Sequence, residues 1–359
     1  MRTDIAVKTF LLDHQRVQIP VRILFAVILA ILSALMILFR STTFDNDYVG
    51  YEAVYQGYLE SDFEVGFQFL MDIGAGLGLP LTALLSLIAF PGLVIKFVLA
   101  GRTDGVALTV FTLLFASSFF LLHELNQARF AFAVSFAVLA AWMRQERPVW
   151  AVIILLTGGL FHYGVLLLLP ALLGMLSTIL FFAFFGGLQF LIQSTSTTAD
   201  FLVGLMPAFL SESDRVRGYT VEAVALRNSG VVVTSSILFL AFQLIVARGF
   251  EKSYLEPGDY DSLLTVSRRA SIVAIPIFLA FASSPVLANR LAEAHRFFLL
   301  FYLSLVIARA IKGRGLDPIL AVFFLVIVII GNLYVYGGSV LPLFRLLDQI
   351  GLGRDINLI

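Results

Sequence analysis

Apolar residues run along this chain in blocks of about 20, the length that crosses a bilayer as a helix, broken by short polar stretches. Clear blocks fall at 20–39, 80–100, 105–122, 128–143, 148–161, 230–247, 270–286, 296–311 and 318–336. The block 163–193 is too long for one span, and a division near Ser177 makes it two. The pattern predicts an all-α, polytopic helical bundle of about eleven membrane spans, forming a single transmembrane domain over 1–359.

Three polar segments break the pattern. Residues 40–79 are acidic and end in a stretch where Phe63, Phe67, Leu70 and Met71 recur at helical spacing, which predicts an interfacial helix. Residues 194–229 form a second polar loop, and 248–269 the main loop on the opposite side. Residues 1–19 are amphipathic and basic and suit the inner leaflet. The first apolar block lacks a small-residue cleavage site and reads as a retained span.

Charge orients the bundle. With the N-terminus inside, the inner set includes Lys96, Arg102, Arg144, Arg147, Arg248, Lys252, Arg268 and Arg269. It holds 15 of the 24 Lys and Arg but 9 of the 24 Asp and Glu. This is the positive-inside pattern, and it requires the split of 163–193. The composition is 60% hydrophobic and 13% charged, with a mean hydropathy of +0.96, which excludes an ordinary soluble enzyme. The formal net charge of zero gives no basic excess for a nucleic-acid partner. Without cysteine there is no thiolate chemistry, and four scattered histidines predict no metal site. The glycines of 74–78 lack the Lys-Ser/Thr of a phosphate loop, so no cofactor is expected.

Ionisable groups near a membrane are costly, so their placement is informative. On this topology the span middles are nearly charge-free, and the charges gather at the outer helix ends. Glu124, Gln127 and Arg129 flank a short turn. His162 sits at the next outer junction. Arg290, Glu293, His295 and Arg296 fall between the spans 270–286 and 296–311. Arg215, Arg217 and Tyr219 lie in the second outer loop, and Asp47, Glu64, Tyr48 and Tyr51 in the first. Outer ends surrounding one cavity would combine arginines for an anionic phosphate ligand with His or carboxylate bases. Each residue also has a plainer role: an ion pair at helix ends, a snorkelling arginine, an interfacial tyrosine belt, a solvated carboxylate.

The ordered motifs resemble the EpsG/Wzy family of bacterial polysaccharide polymerases. The carriers are DYVGY with Asp47, Tyr48 and Tyr51; EVGFQFL with Glu64, Gly66 and Phe67; ELNQARFAFA with Gln127 and Arg129; FHYG with His162; and ANRLAEAHRFFLLFYLSLV with Arg290. The resemblance covers most of 40–311, and one departure is Gly164, where the family often has a hydroxyl residue. It implies a GT-C-like, metal-independent glycosyltransferase in the bacterial inner membrane. Its site would face the periplasm and polymerise undecaprenyl-pyrophosphate-linked oligosaccharides of an O-antigen or exopolysaccharide. A flippase and a chain-length regulator of the same pathway are the implied partners, beside membrane lipid. On that implication His162, Asp47 or Glu64 is the base. Arg129, Arg290 and Arg296 hold the pyrophosphate. Arg215, Arg217, Tyr219, Tyr48 and Tyr51 contact glycan, with Glu124, Gln127 and His295 nearby. The competing expectations are an O-antigen ligase-like enzyme, a lipid-linked glycan transporter, disfavoured by charge-free span middles, and a structural scaffold.

Overall fold

The structure is a computed structural model. It describes residues 2–40, 46–60, 63–174, 178, 180, 183, 230–256, 261–280 and 285–335. Among these residues there is no strand, as backbone groups in hydrocarbon require of an open chain. Among the described residues four helical stretches are long and apolar enough to cross a membrane: Pro20–Leu38, Leu81–Gly101, Ser262–Leu279 and Ala288–Ile311. Shorter apolar helices of 10–17 residues accompany them, so the predicted helical membrane protein is present, with fewer full-length spans among the described residues than the expected eleven.

The chain divides into two units. The first comprises 1–139, 160–162 and 307–359. Within it α1 (Arg2–Leu38) packs on α4 (Leu81–Gly101). Ala26, Ala30, Ala34 and Ile37 form a buried stripe at helical spacing, and small residues let two helix backbones approach closely. The Ser86 hydroxyl donates to the Ala34 carbonyl at 2.8 Å, and Arg22 donates to the Thr103 carbonyl at 2.8 Å, tying both ends of the pair. The opposite face of α1, with Leu24, Leu32 and Met36, is exposed, as a lipid-facing stripe is.

Two short helices precede α4: α2 (Asn46–Tyr55) and α3 (Val65–Gly76). A helix, α3, forms where the interfacial one was expected, but the face carrying Phe67 and Met71 is buried in protein. Gly74 lies on that face, where a Cβ would come within 2.5 Å of Leu84 Cδ2. The exposed apolar stripe is instead Val65, Phe69, Ile73 and Leu77.

The block 105–122 is not one continuous α-helix. Helix α5 (Gly105–Ala116) is capped by Asp104, whose side chain accepts from the Ala107 amide at 2.8 Å. It stops where the Ser117 and Ser118 hydroxyls both bond back to the Leu114 carbonyl. A π-helical turn (Phe120–Glu124) follows, then α6 (Ala128–Met143). At 1.5 Å per residue, twelve residues rise about 18 Å, short of a hydrocarbon core of about 30 Å. After Leu316, α12 (Asp317–Val335) closes this unit and packs on α5, with Lys312 paired to Asp104 at 3.0 Å.

The second unit comprises 140–159 and 163–306. It contains α7 (Pro148–Gly159), a 3-10 turn (Tyr163–Leu168) and α8 (Leu169–Leu173). Gly174, at φ 150°, ends α8. The expected division at Ser177 lies outside the described residues. Then come α9 (Gly230–Tyr254), α10 (Ser262–Ala280) and α11 (Pro285–Ile311). Helix α11 corrects an expectation. Arg290, Glu293, His295 and Arg296 are not in a turn between two spans but inside one continuous helix. Pro285 starts it, and Glu293 and His295 are buried within it.

Candidate functional site

The first turn of α6 gathers three of the sequence motifs within the first unit. Arg129 Nη1 donates to Glu64 Oε2 at 2.5 Å, and both side chains are largely buried. Glu64 is the residue just before α3. The Arg129 guanidinium lies 4.5 Å from the Phe63 ring centre, 5.8 Å from Tyr51 and 5.9 Å from Phe67. These three rings pack on one another edge-on or tilted, with centroids 5.5–5.6 Å apart. A planar cation with an aromatic box on its faces and a carboxylate at its edge is held in one orientation. Its Nε meets no acceptor among the described residues.

The His162 junction docks onto the same place. The Gly66 amide donates to the Leu160 carbonyl at 2.9 Å. A Cβ on Gly66 would stand 2.8 Å from that oxygen, so the glycine in EVGFQFL is required by close approach. His162, half-buried, meets Phe130 edge-on at 5.2 Å. On the other side Phe130 meets the His123 ring at 4.7 Å, and His123 stacks on Phe119 at 4.6 Å. His123 Nδ1 donates to Gln127 Oε1 at 2.9 Å, which orients the imidazole. Glu64, Arg129, Gln127 and His162 are thus brought to one region of the first unit.

Glu124 is the exception. It was placed at the outer surface and Lys96 on the inner side, but the two form a buried ion pair, each 1% exposed. Lys96 Nζ also donates to the Ala131 carbonyl at 2.8 Å. Glu124 ends the π-helical turn that follows the early end of α5. The span middles are therefore not charge-free.

Tyr48 and Tyr51 are each 3% exposed, so their rings are taken up by protein rather than presented to a sugar. Arg40 lies over the Tyr48 ring at 4.6 Å. Burial and the nearby Glu52 carboxylate push the Tyr48 phenol above the usual tyrosine range, against the pull of Arg40. Asp47 lies on α2, and its side chain is outside the described part. Arg215, Arg217 and Tyr219 also lie outside the described residues.

In the second unit Arg290 Nη1 approaches Glu293 Oε2 at 3.8 Å. Arg296 Nη1 donates to Asn289 Oδ1 at 3.1 Å and lies 5.6 Å from the Phe278 ring centre. His295 is fully buried, with the Leu291 and Leu167 carbonyls facing it, so it has no direct access to a substrate. Among the described residues no group of His, Asp and Glu is placed to hold a metal ion.

Sequence reasoning missed Lys96 and the aromatic box. A lysine within the apolar run 81–101 demands a buried partner, and that signal could have found the first. The box carried no signal beyond the aromatic content of 51–67.

Residues 23–344 match the model of the EpsG family. No curated protein and no solved structure matches the chain.

Proposed function

The chain belongs to the EpsG family, membrane proteins of the polysaccharide-polymerase type, and on that premise we propose that it polymerises undecaprenyl-pyrophosphate-linked repeat units at the periplasmic face of the inner membrane. The observation that carries the reading is the Glu64–Arg129 pair with the His162 junction docked beside it. In the reaction the acceptor sugar hydroxyl attacks the anomeric carbon of the donor. The carbon–oxygen bond to pyrophosphate breaks, and the hydroxyl proton passes to a base.

An arriving pyrophosphate competes with Glu64 for Arg129. When the phosphate takes over the Arg129 hydrogen bond, the Glu64 carboxylate is released to take the proton, with His162 as the neighbouring alternative base. Arg129 then meets the charge that grows on the leaving group. Arg290 and Arg296 are further pyrophosphate ligands in this proposal, Asp47 a further base, and Arg215, Arg217 and Tyr219 glycan contacts. The GT-C-like architecture, the eleven spans, metal independence and the pathway's flippase and chain-length regulator belong to the same proposal. A transporter needs a hydrated polar path through the bilayer. Lys96 and Glu124 are sealed and neutralise one another, which supports surface chemistry instead.

The test is the glycan ladder of a deletion strain complemented with the wild type, Arg129→Ala, Arg290→Ala or His162→Ala, with protein levels checked by immunoblot. Collapse to one repeat in the null strain and the arginine variants is expected. Long polymer that stays on its lipid carrier would instead identify a ligase. An unchanged ladder throughout overturns the proposal.

A further inference from the structure

The second unit contains a cavity of about 980 Å³ that the polymerase reading does not use. Small-molecule sites range over about 300–1,000 Å³, so it is roomy. Its wall is two-sided in chemistry. Leu244 and Ile245 of α9 and Ile272 and Ile275 of α10 form the apolar part. Ile245 is 72% exposed and Ile272 45% exposed, so this wall opens sideways rather than into the protein core. Arg248, Lys252, Arg268 and Arg269 form the polar part.

The polar part carries excess positive charge. Glu251 is the carboxylate that these cations bond, and it is fully buried. It accepts from Arg248 at 2.5 Å, from Arg268 at 2.8 Å and from the Tyr302 hydroxyl at 2.6 Å. Glu256 and Asp261 stand at the adjoining helix ends, but the described lining of the cavity holds four cations and no carboxylate. Arg269 is left over. Its Nη1 is shut off from solvent without a hydrogen-bond partner among the described residues, and the charges acting on it, Arg144 and Arg268, are both positive. A buried guanidinium nitrogen among like charges needs an anion.

The depth fits a headgroup. Arg269 lies seven residues into α10 and Arg248 six residues before the end of α9, each about 10 Å from its helix end. The aliphatic wall continues from there deeper along both helices. A ligand that places phosphate on Arg269 and Lys252 and an aliphatic chain along Ile245 and Ile272 satisfies both parts at once. We propose that this cavity is a binding site for an anionic glycerophospholipid of the surrounding bilayer, with its phosphate at Arg269. Basic pockets between membrane helices recognise such headgroups by the same charge logic.

The experiment uses the full-length protein, delipidated in neutral detergent, with thermal stability followed as lipids are added. Dioleoylphosphatidylglycerol should raise the melting midpoint saturably. Dioleoylphosphatidylcholine and inorganic phosphate should not. In the Arg269→Gln/Lys252→Gln variant the lipid affinity should fall about tenfold or more, since each cation near a lipid surface contributes about fivefold. Neither residue bonds Glu251, so that knot remains in the variant. Ile272→Trp, which fills the apolar part and leaves every charge, should also weaken the lipid effect. Equal protection by phosphatidylcholine, or by phosphate alone, overturns the proposal. So does a response to a polyprenyl phosphate that phosphatidylglycerol does not share. An unaltered response in both variants overturns it as well.

Discussion

Lys96→Met removes the cation that neutralises Glu124 and leaves a carboxylate 1% exposed. Glu124 has no reserve: its Oε2 meets no donor among the described residues. The Ala131 carbonyl loses the same ammonium. Breaking one side of a buried ion pair costs about 3–5 kcal/mol, because the remaining charge stays in a poor dielectric. At about 2 °C per kcal/mol for a chain of this size, the melting midpoint should drop by about 5–10 °C. Glu124→Met should do the same from the other side. The double variant Lys96→Met/Glu124→Met removes both charges and keeps the volume, and should stand within about 1–2 kcal/mol of wild type. The assay is heating of the full-length protein in detergent, with the monodisperse fraction read by size-exclusion chromatography. If the double variant falls as far as the two single losses added together, the charges do not act as a pair and the reasoning fails.

Other expectations are narrower. Gly66→Ala puts a methyl against the Leu160 carbonyl, 2.8 Å away, so α3 must move off the His162 junction; polymer should be lost while stability falls by about 1–3 kcal/mol in the same heating assay. Arg129→Lys keeps the charge but lacks the planar group that lies over Phe63 at 4.5 Å; the glycan ladder should shorten sharply, and a wild-type ladder would show that charge alone suffices. Tyr302→Phe removes a donor to Glu251 but leaves Arg248 and Arg268 in place; a loss of about 1.5–3 kcal/mol in thermal stability is expected, with the ladder unchanged.

Spans were legible where burial and length work together. The stretch Pro20–Leu38 of α1, α4 and α12 fall nearly on their apolar blocks, because a continuous apolar run admits few other structures in lipid. Boundaries failed where side chains compete with the backbone or where polarity was mistaken for exposure. Ser117 and Ser118 end α5 early although the block 105–122 is apolar throughout. Around Arg290 and His295 the error ran the other way. Four ionisable residues suggested a turn, yet α11 continues through them, with polar partners such as Asn289 and ring faces such as Phe278 beside Arg296.

Candidate residues could be picked from the sequence, but their arrangement could not. Glu64, Arg129 and His162 were singled out because Arg, His and carboxylate near one membrane face suit a phosphate-bearing substrate. Their actual relation, a carboxylate paired to the arginine it was meant to assist, depends on Gly66 letting α3 touch Leu160 and on Phe63, Tyr51 and Phe67 walling the guanidinium. Neither follows from spacing along the chain. The pairing has a consequence that a free carboxylate and a free arginine would lack. In the proposed reaction, a base that is already spent on a cation is idle until an anion displaces it. On that proposal deprotonation of the acceptor is tied to arrival of the pyrophosphate, and an acceptor bound alone meets an unreactive Glu64. Where two substrates are chemically alike, that proposed coupling would favour transfer only when both positions are filled.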